Sequence, residues 1–168
     1  MDIEANYQKE KRFALVLGSL YAAAGLLQLI LGTGLAGIFF YLGQPGEVLH
    51  AALLAFADML FIPADILGGF VLLVVGATFL SGAKELGAGI SEGKAYVYVG
   101  TLLALTFAVV YLLTLSGNAL DAFVLGGEAL KNWSFLSDLK PGIYLAVLAL
   151  PAYLSRKTRF SLGKPSWE

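Results

Sequence analysis

Between Phe13 and Leu42 the sequence runs for 30 residues without one charged side chain. Such a stretch has few places to go. About 20 apolar residues in a helix cross the hydrocarbon core of a bilayer, so this one is long enough to cross with tilt and project beyond it. Residues 66–83 and 95–115 form further uncharged apolar stretches. Residues 139–155 make a fourth if Lys140 and Arg156 snorkel their charged ends outward from either edge. With 58% hydrophobic and 14% charged residues, the chain stands apart from soluble domains, which carry about 25% charge. The expected fold is all-α: one integral membrane domain of four transmembrane helices, residues 13–42, 66–83, 95–115 and 139–155.

The N-terminal stretch "KEKRFALVLGSLYAAAG" has the layout of a signal peptide, with a basic start, an apolar core and small residues at Ala22–Ala24. The apolar run continues straight through "LLQLILG" with no polar mature end. The segment is therefore expected to stay as an uncleaved membrane helix.

Residues 48–62 are the ambiguous stretch, because Asp58 and Asp65 sit seven apart around Pro63. Cations decide it, since Lys and Arg favour the cytoplasmic side. With four spans the inner side holds nine of the eleven, Lys9, Lys11 and Arg12 at the start, Lys84 and Lys94 in the middle, and the four after Ser155. Only Lys131 and Lys140 lie outside. A fifth span at 48–62 would flip every later loop and leave five inside against six outside. Four spans in the cell membrane, with both termini cytoplasmic, fit better.

Residues 48–62 then form an outer interfacial or re-entrant helix. Asp58 reaches water there and avoids the ~2.5–3.5 kcal/mol assigned to a midplane aspartate. Asp65 precedes the second span and is expected to cap it by accepting from the N–H of Leu67 or Gly68, at the positive end of the helix dipole. A second outer helix is expected over residues 118–131, with Asn118 and Asp121 as a capping-box-like start and its polar residues away from Leu120, Phe123, Val124 and Leu130.

Glycine is abundant, at 20 residues. Gly18, Gly25 and Gly32 recur every seven residues along the first span, and Gly68, Gly69 and Gly76 give the second a similar face. Helices in lipid associate through close backbone approach and dispersion, so these faces are expected to pack on another helix or on a protein partner or second copy. Phe39, Phe40, Tyr41 and Trp133 fall near the outer boundary, Tyr96, Tyr98 and Tyr153 near the inner one, as in aromatic belts.

Motifs that carry chemistry are sparse. The chain has no cysteine, which excludes disulfides and thiolate metal sites. "GTGLAG" at 32–37 matches a dinucleotide fingerprint in letters, but that fingerprint works only between a strand and a helix, so it reads as helix packing or a kink. Glu47 and His50 form an E-x-x-H, and Asp58 lies three helical turns beyond Glu47 on the same side. An external cation site built from Glu47, His50 and Asp58, with Asp65 as a further ligand, is the one metal-site candidate. Asn132-Trp133-Ser134 matches a glycosylation acceptor. The net charge of −1 excludes the basic face that nucleic acid needs, and no catalytic residue or cofactor is assigned.

The glycine-rich first span and the "DILGGFVLLVVG" of the second resemble the DoxX-like group of small prokaryotic membrane proteins over about half the chain. The resemblance implies a small multi-pass helical protein and carries no residue role onto this sequence. Three functional readings follow from the residues. The absence of charge inside the spans, where pumps and transporters usually need it, favours a non-enzymatic subunit or scaffold. The outer side, with six carboxylates against two lysines, gives a transport or binding protein for a small solute or cation as the alternative. A membrane enzyme acting on lipid or quinone comes third.

Overall fold

The computed structural model describes residues 2–34, 44–125 and 134–162. Five α-helices carry the fold: α1 Asp2–Gly32, α2 Gln44–Met59, α3 Ile66–Gly87, α4 Gly93–Leu120 and α5 Pro141–Leu162. A single π turn, Asp121–Leu125, extends α4, and a 3-10 turn, Phe135–Asp138, leads into α5. Helix α1 packs along α3, α3 on α4 and α4 on α5, and α5 closes back on α1 with a lighter contact.

The glycine stripes of α1 and α3 face each other. A Cβ on Gly25 would sit 2.7 Å from the Gly69 carbonyl oxygen, and a Cβ on Gly76 would sit 2.8 Å from the Ala22 nitrogen. Gly18 meets Leu80 and Gly32 meets Ile66. The pairing runs 18 to 80, 25 to 69 and 32 to 66, so the two helices are antiparallel with backbones in contact. Gly82 and Gly93 repeat the arrangement between α3 and α4, and Gly100 lies under the Phe79 ring.

Turned inward from the α1 stripe is a second line, Ala14, Leu17, Tyr21, Ala24 and Gln28, all buried. The spacings of three and four residues keep it on one side of the helix. Tyr21 stacks on Phe79 with ring centroids 6.0 Å apart, and Leu72, Val75, Val97, Ala104, Leu145 and Ala149 complete the core. Large apolar side chains such as Leu67, Phe70, Val110 and Leu113 point outward and are exposed, while Gln28 and Thr101 are buried. A surface greasier than parts of the interior suits lipid as solvent. Thr101 answers its own burial by donating to the Val97 carbonyl at 2.7 Å.

Among the described residues, three helices are long and apolar enough to cross a membrane: Tyr7–Gly32, Ile66–Gly87 and Gly93–Val124. The apolar part of α5 described here, Pro141–Pro151, is shorter than a full crossing.

The helix ends correct several sequence boundaries. The first span was expected to reach Leu42, yet α1 stops at Gly32. Gly34 turns left-handed at φ 71° and donates its N–H to the Leu31 carbonyl, a glycine C-terminal stop. "GTGLAG" therefore begins at the C-terminal end of a helix and not before a helix N-terminus, and its last three residues lie outside the described residues. The outer helix expected to open at Asn118 does not open there. Helix α4 continues through that position, and the Asp121 N–H donates to the carbonyls of Asn118 and Gly117. Nothing between Leu115 and Asn118 breaks a helix, since an interior glycine such as Gly117 costs only about 1 kcal/mol. Residues 121–125 of that expected helix form the π turn, and residues 126–131, together with Asn132, Trp133 and Phe39 to Tyr41, lie outside the described residues.

Helices α2 and α3 end in the same hydrogen-bond pattern. After α3, Ile90 N–H donates to Glu85 O and Gly89 N–H to Leu86 O, with Gly89 at φ 76°. After α2, Ile62 N–H donates to Ala57 O and Phe61 N–H to Asp58 O, with Phe61 at φ 53°. Both are Schellman motifs. In the second a phenylalanine holds the left-handed position that normally takes glycine, at a cost of roughly 1–2 kcal/mol. Ala57 and Ile62, the two positions at which the motif is usually accompanied by an apolar contact, are both buried in the core.

Candidate functional site

The polar groups of the fold gather where α3 and α5 begin and α4 ends. Asp65 is extended (φ −140°, ψ 103°) and caps α3, its Oδ1 accepting from the Gly68 N–H at 2.9 Å. That is the cap the sequence specified. The other oxygen, Oδ2, faces Lys140 Nζ at 3.2 Å, an ion pair about three-quarters buried on each side. The ammonium also lies 5.2 Å from the centre of the Tyr111 ring, within range of a cation–π attraction.

Two glycines make room for this group. A Cβ on Gly68 would fall 2.6 Å from Asp65 Oδ2 and 3.0 Å from the Tyr111 hydroxyl, and a Cβ on Gly142 would fall 2.7 Å from the Tyr111 ring. Two more bonds fasten the surroundings. Asn118 Nδ2 donates to Asp138 Oδ2 at 2.7 Å, tying α4 to the turn before Lys140. The Tyr144 hydroxyl donates to the Leu60 carbonyl at 3.0 Å, tying α5 to the link after α2.

Partial burial pushes the Asp65 carboxyl upward. The Gly68 N–H, the hydrogen bond and charge of Lys140, and the Leu67 N–H outweigh that and hold it below the usual carboxylate range. An ionised carboxylate with one oxygen on a helix N-terminus and the other on an ammonium serves as a clasp between helices 75 residues apart in sequence.

The four residues proposed for a cation site are not gathered around a common point. Among the described residues no three His, Cys, Asp or Glu side chains are close enough to hold a metal ion. The reason is axial distance. Glu47 and Asp58 share a side of α2, but eleven residues at 1.5 Å each set them about 16 Å apart along its axis. Glu47 is exposed in the first turn, His50 is half-buried, and Asp58 is exposed near the far end. Asp58 instead borders a cleft of about 180 Å³ with Phe61, Ile62, Pro63 and Leu136.

Lys140, Tyr111, the Asn118–Asp138 pair and the Tyr144–Leu60 bond were missed in the sequence. The available signal was an isolated lysine beside a proline on the cation-poor side, within reach of an aspartate that also starts a span. Deeper in the bundle, the Tyr21 hydroxyl and Gln28 Oε1 are buried without a hydrogen-bond partner. Each such atom carries a desolvation cost of about 1–3 kcal/mol.

The comparisons with known proteins agree with this architecture. Residues 5–158 match the family model described as the MJ0565 integral membrane domain. A protein of Methanocaldococcus jannaschii, described as uncharacterized protein MJ0565, is 28% identical over 153 residues, covering 91% of this chain and 92% of the relative. No solved structure matches. Helices with an apolar exterior, glycine-packed backbones and a family match over nearly the whole length define a helical integral membrane protein, and the chain belongs to the MJ0565 integral membrane domain family.

Proposed function

We propose that the protein is a non-enzymatic subunit or scaffold of a membrane assembly, with four spans in the cell membrane, both termini cytoplasmic, and α2 as the element that meets the partner. The observation that supports this reading is the state of α2. Its far end is anchored through Ala57 and the Ile62 that follows it, while Val48, Leu49, Phe56 and Met59 are exposed along its length. An apolar helix held at one end and bare along its sides suits an interfacial position and a protein surface laid against it. The clasp residues suit a structural role, since Asp65, Lys140, Asn118 and Asp138 are engaged with one another or with a helix end. The test is purification from mild-detergent membranes, with photo-crosslinking from position 59. A discrete larger complex, crosslinked at 59 and lost in a Val48→Ser, Phe56→Ser double variant, is the expected result. A monomer with no crosslink rejects the reading.

The Asp58 cleft favours a second reading, in which the outer side binds a small cationic solute between a carboxylate and apolar walls. Thermal stability of wild type and Asp58→Asn, with and without divalent cations or a small organic ammonium, tests it. A shift present only in wild type supports solute binding, and no shift in either rejects it.

A further inference from the structure

On the lipid-facing side of α3 and α4 lies a groove of about 470 Å³, within the ~300–1,000 Å³ of ordinary ligand sites. Helix α3 contributes Val74, Ala77, Thr78 and Ser81, and α4 contributes Ala95, Tyr96 and Val99. It exists because Gly82 and Gly93 bring the two backbones together while small side chains leave the surface beside that contact low.

The groove has a direction. Val74 and Val99 line one end, and Ser81 and Tyr96 line the other. The Thr78 hydroxyl is turned onto the Val74 carbonyl at 2.8 Å, so the floor presents little free polarity. Lys84 follows Ser81 by three residues, on the next turn of the same side of α3, and is exposed. In the other direction the same side of α3 carries Phe70 and Leu67, both exposed and bulky, and the notch ends. From Val74 to Ser81 the groove runs seven residues, about 10 Å along the helix, and Lys84 lies about 15 Å from Val74. The groove therefore fits within one half of a hydrocarbon core of about 30 Å.

We propose that this groove seats one acyl chain of an anionic phospholipid, with the phosphate at Lys84 and the ester region beside Ser81 and Tyr96. A groove that stays within a single leaflet, an apolar floor, hydroxyls at the mouth and a lysine one turn beyond match a lipid from upper tail to headgroup. A partner helix would need a notch running the full span, which Phe70 and Leu67 fill.

The experiment is native mass spectrometry of the purified protein titrated with phosphatidylglycerol or phosphatidylcholine, on wild type, Lys84→Gln and Ala77→Leu. Wild type should retain one phosphatidylglycerol in preference to phosphatidylcholine. Lys84→Gln should weaken phosphatidylglycerol about fivefold, the worth of one lysine near a charged lipid surface, and leave phosphatidylcholine unchanged. Ala77→Leu fills the floor and should weaken both. Leu113→Ala, on an exposed part of α4 away from the groove, should change neither. Equal retention of the two lipids by wild type overturns the proposal, as does a Lys84→Gln protein with its preference intact. So does a dimer that Ala77→Leu disrupts with no change in lipid retention. If Ala77→Leu misfolds, the Lys84→Gln comparison decides alone.

Discussion

Gly25 and Gly69 meet backbone to backbone across the α1–α3 interface, each occupying the space where the other's Cβ would be, 2.7 and 2.8 Å from a carbonyl oxygen. Neither neighbour can yield as a flexible side chain would, since the obstructing atoms belong to helical backbone. Gly25→Ala should therefore destabilise the protein despite alanine's better helix propensity, by about 1–3 kcal/mol, the range for overpacking. Gly117 is the control within the same molecule, because a Cβ there meets nothing within 4 Å. Gly117→Ala should stabilise by about 0.4–1 kcal/mol. Thermal melts in one detergent rank the two variants against wild type, and a Gly25→Ala protein that melts at or above wild type rejects the interface.

Asp65 combines two roles that substitutions separate. Asparagine caps about as well as aspartate but gives up the ion pair, so Asp65→Asn should cost only the discounted value of a partly exposed pair, about 0.2–1 kcal/mol. Asp65→Ala loses the cap as well, a further ~1 kcal/mol. In a double-mutant cycle, Lys140→Gln should cost less in the Asp65→Asn background than in wild type. Additive costs in that cycle mean that the two residues do not interact.

Acid should act on the same carboxylate. Its folded pKa is lowered, so its contribution is fully present above the unfolded value of about 3.9. It is lost as pH falls through the lower folded value. Asp65→Asn should lose less stability than wild type across that window, measured by denaturation at stepped pH. Parallel curves argue against the lowered pKa.

Phe61 holds a left-handed conformation that glycine adopts freely. Phe61→Ala keeps the strain and loses the ring, whereas Phe61→Gly loses the ring and relieves the strain. Phe61→Gly should thus be the more stable of the two by about 1 kcal/mol. If alanine proves the more stable, the left-handed turn is not present in solution.

The buried amide of Gln28 should be replaceable. Gln28→Met keeps a similar length and removes an acceptor that has no partner, so stability should be unchanged or higher. A loss above ~1 kcal/mol would show that the amide is engaged in the native bundle.

Topology can be read directly in this cysteine-free chain. A cysteine introduced at Ser91, in the exposed turn between α3 and α4, should resist impermeant maleimide in sealed cells and react after permeabilisation. Labelling from outside in sealed cells would invert the proposed orientation.

Features set by near neighbours in the chain were legible without the fold. Uncharged runs of this length marked the helices, because only a helix satisfies the backbone of a single segment in lipid by itself. The Asp65 cap could be placed because a residue before a helix reaches an N–H three positions on whatever surrounds it. The stripe of Gly18, Gly25 and Gly32 announced a close contact, since a face without side chains gains little from lipid. Tertiary structure decided what met what. It set Gly25 against Gly69 rather than against a second copy, and it brought Lys140 to Asp65 from 75 residues away. It also carried α4 past Asn118 to deliver that side chain to Asp138. The Glu47–Asp58 alignment failed for a related reason, since an angular match on a helix says nothing of the distance along its axis. Local hydrogen bonds follow from chain connectivity, whereas contacts between helices depend on crossing and register, which one sequence leaves open until the backbones pack.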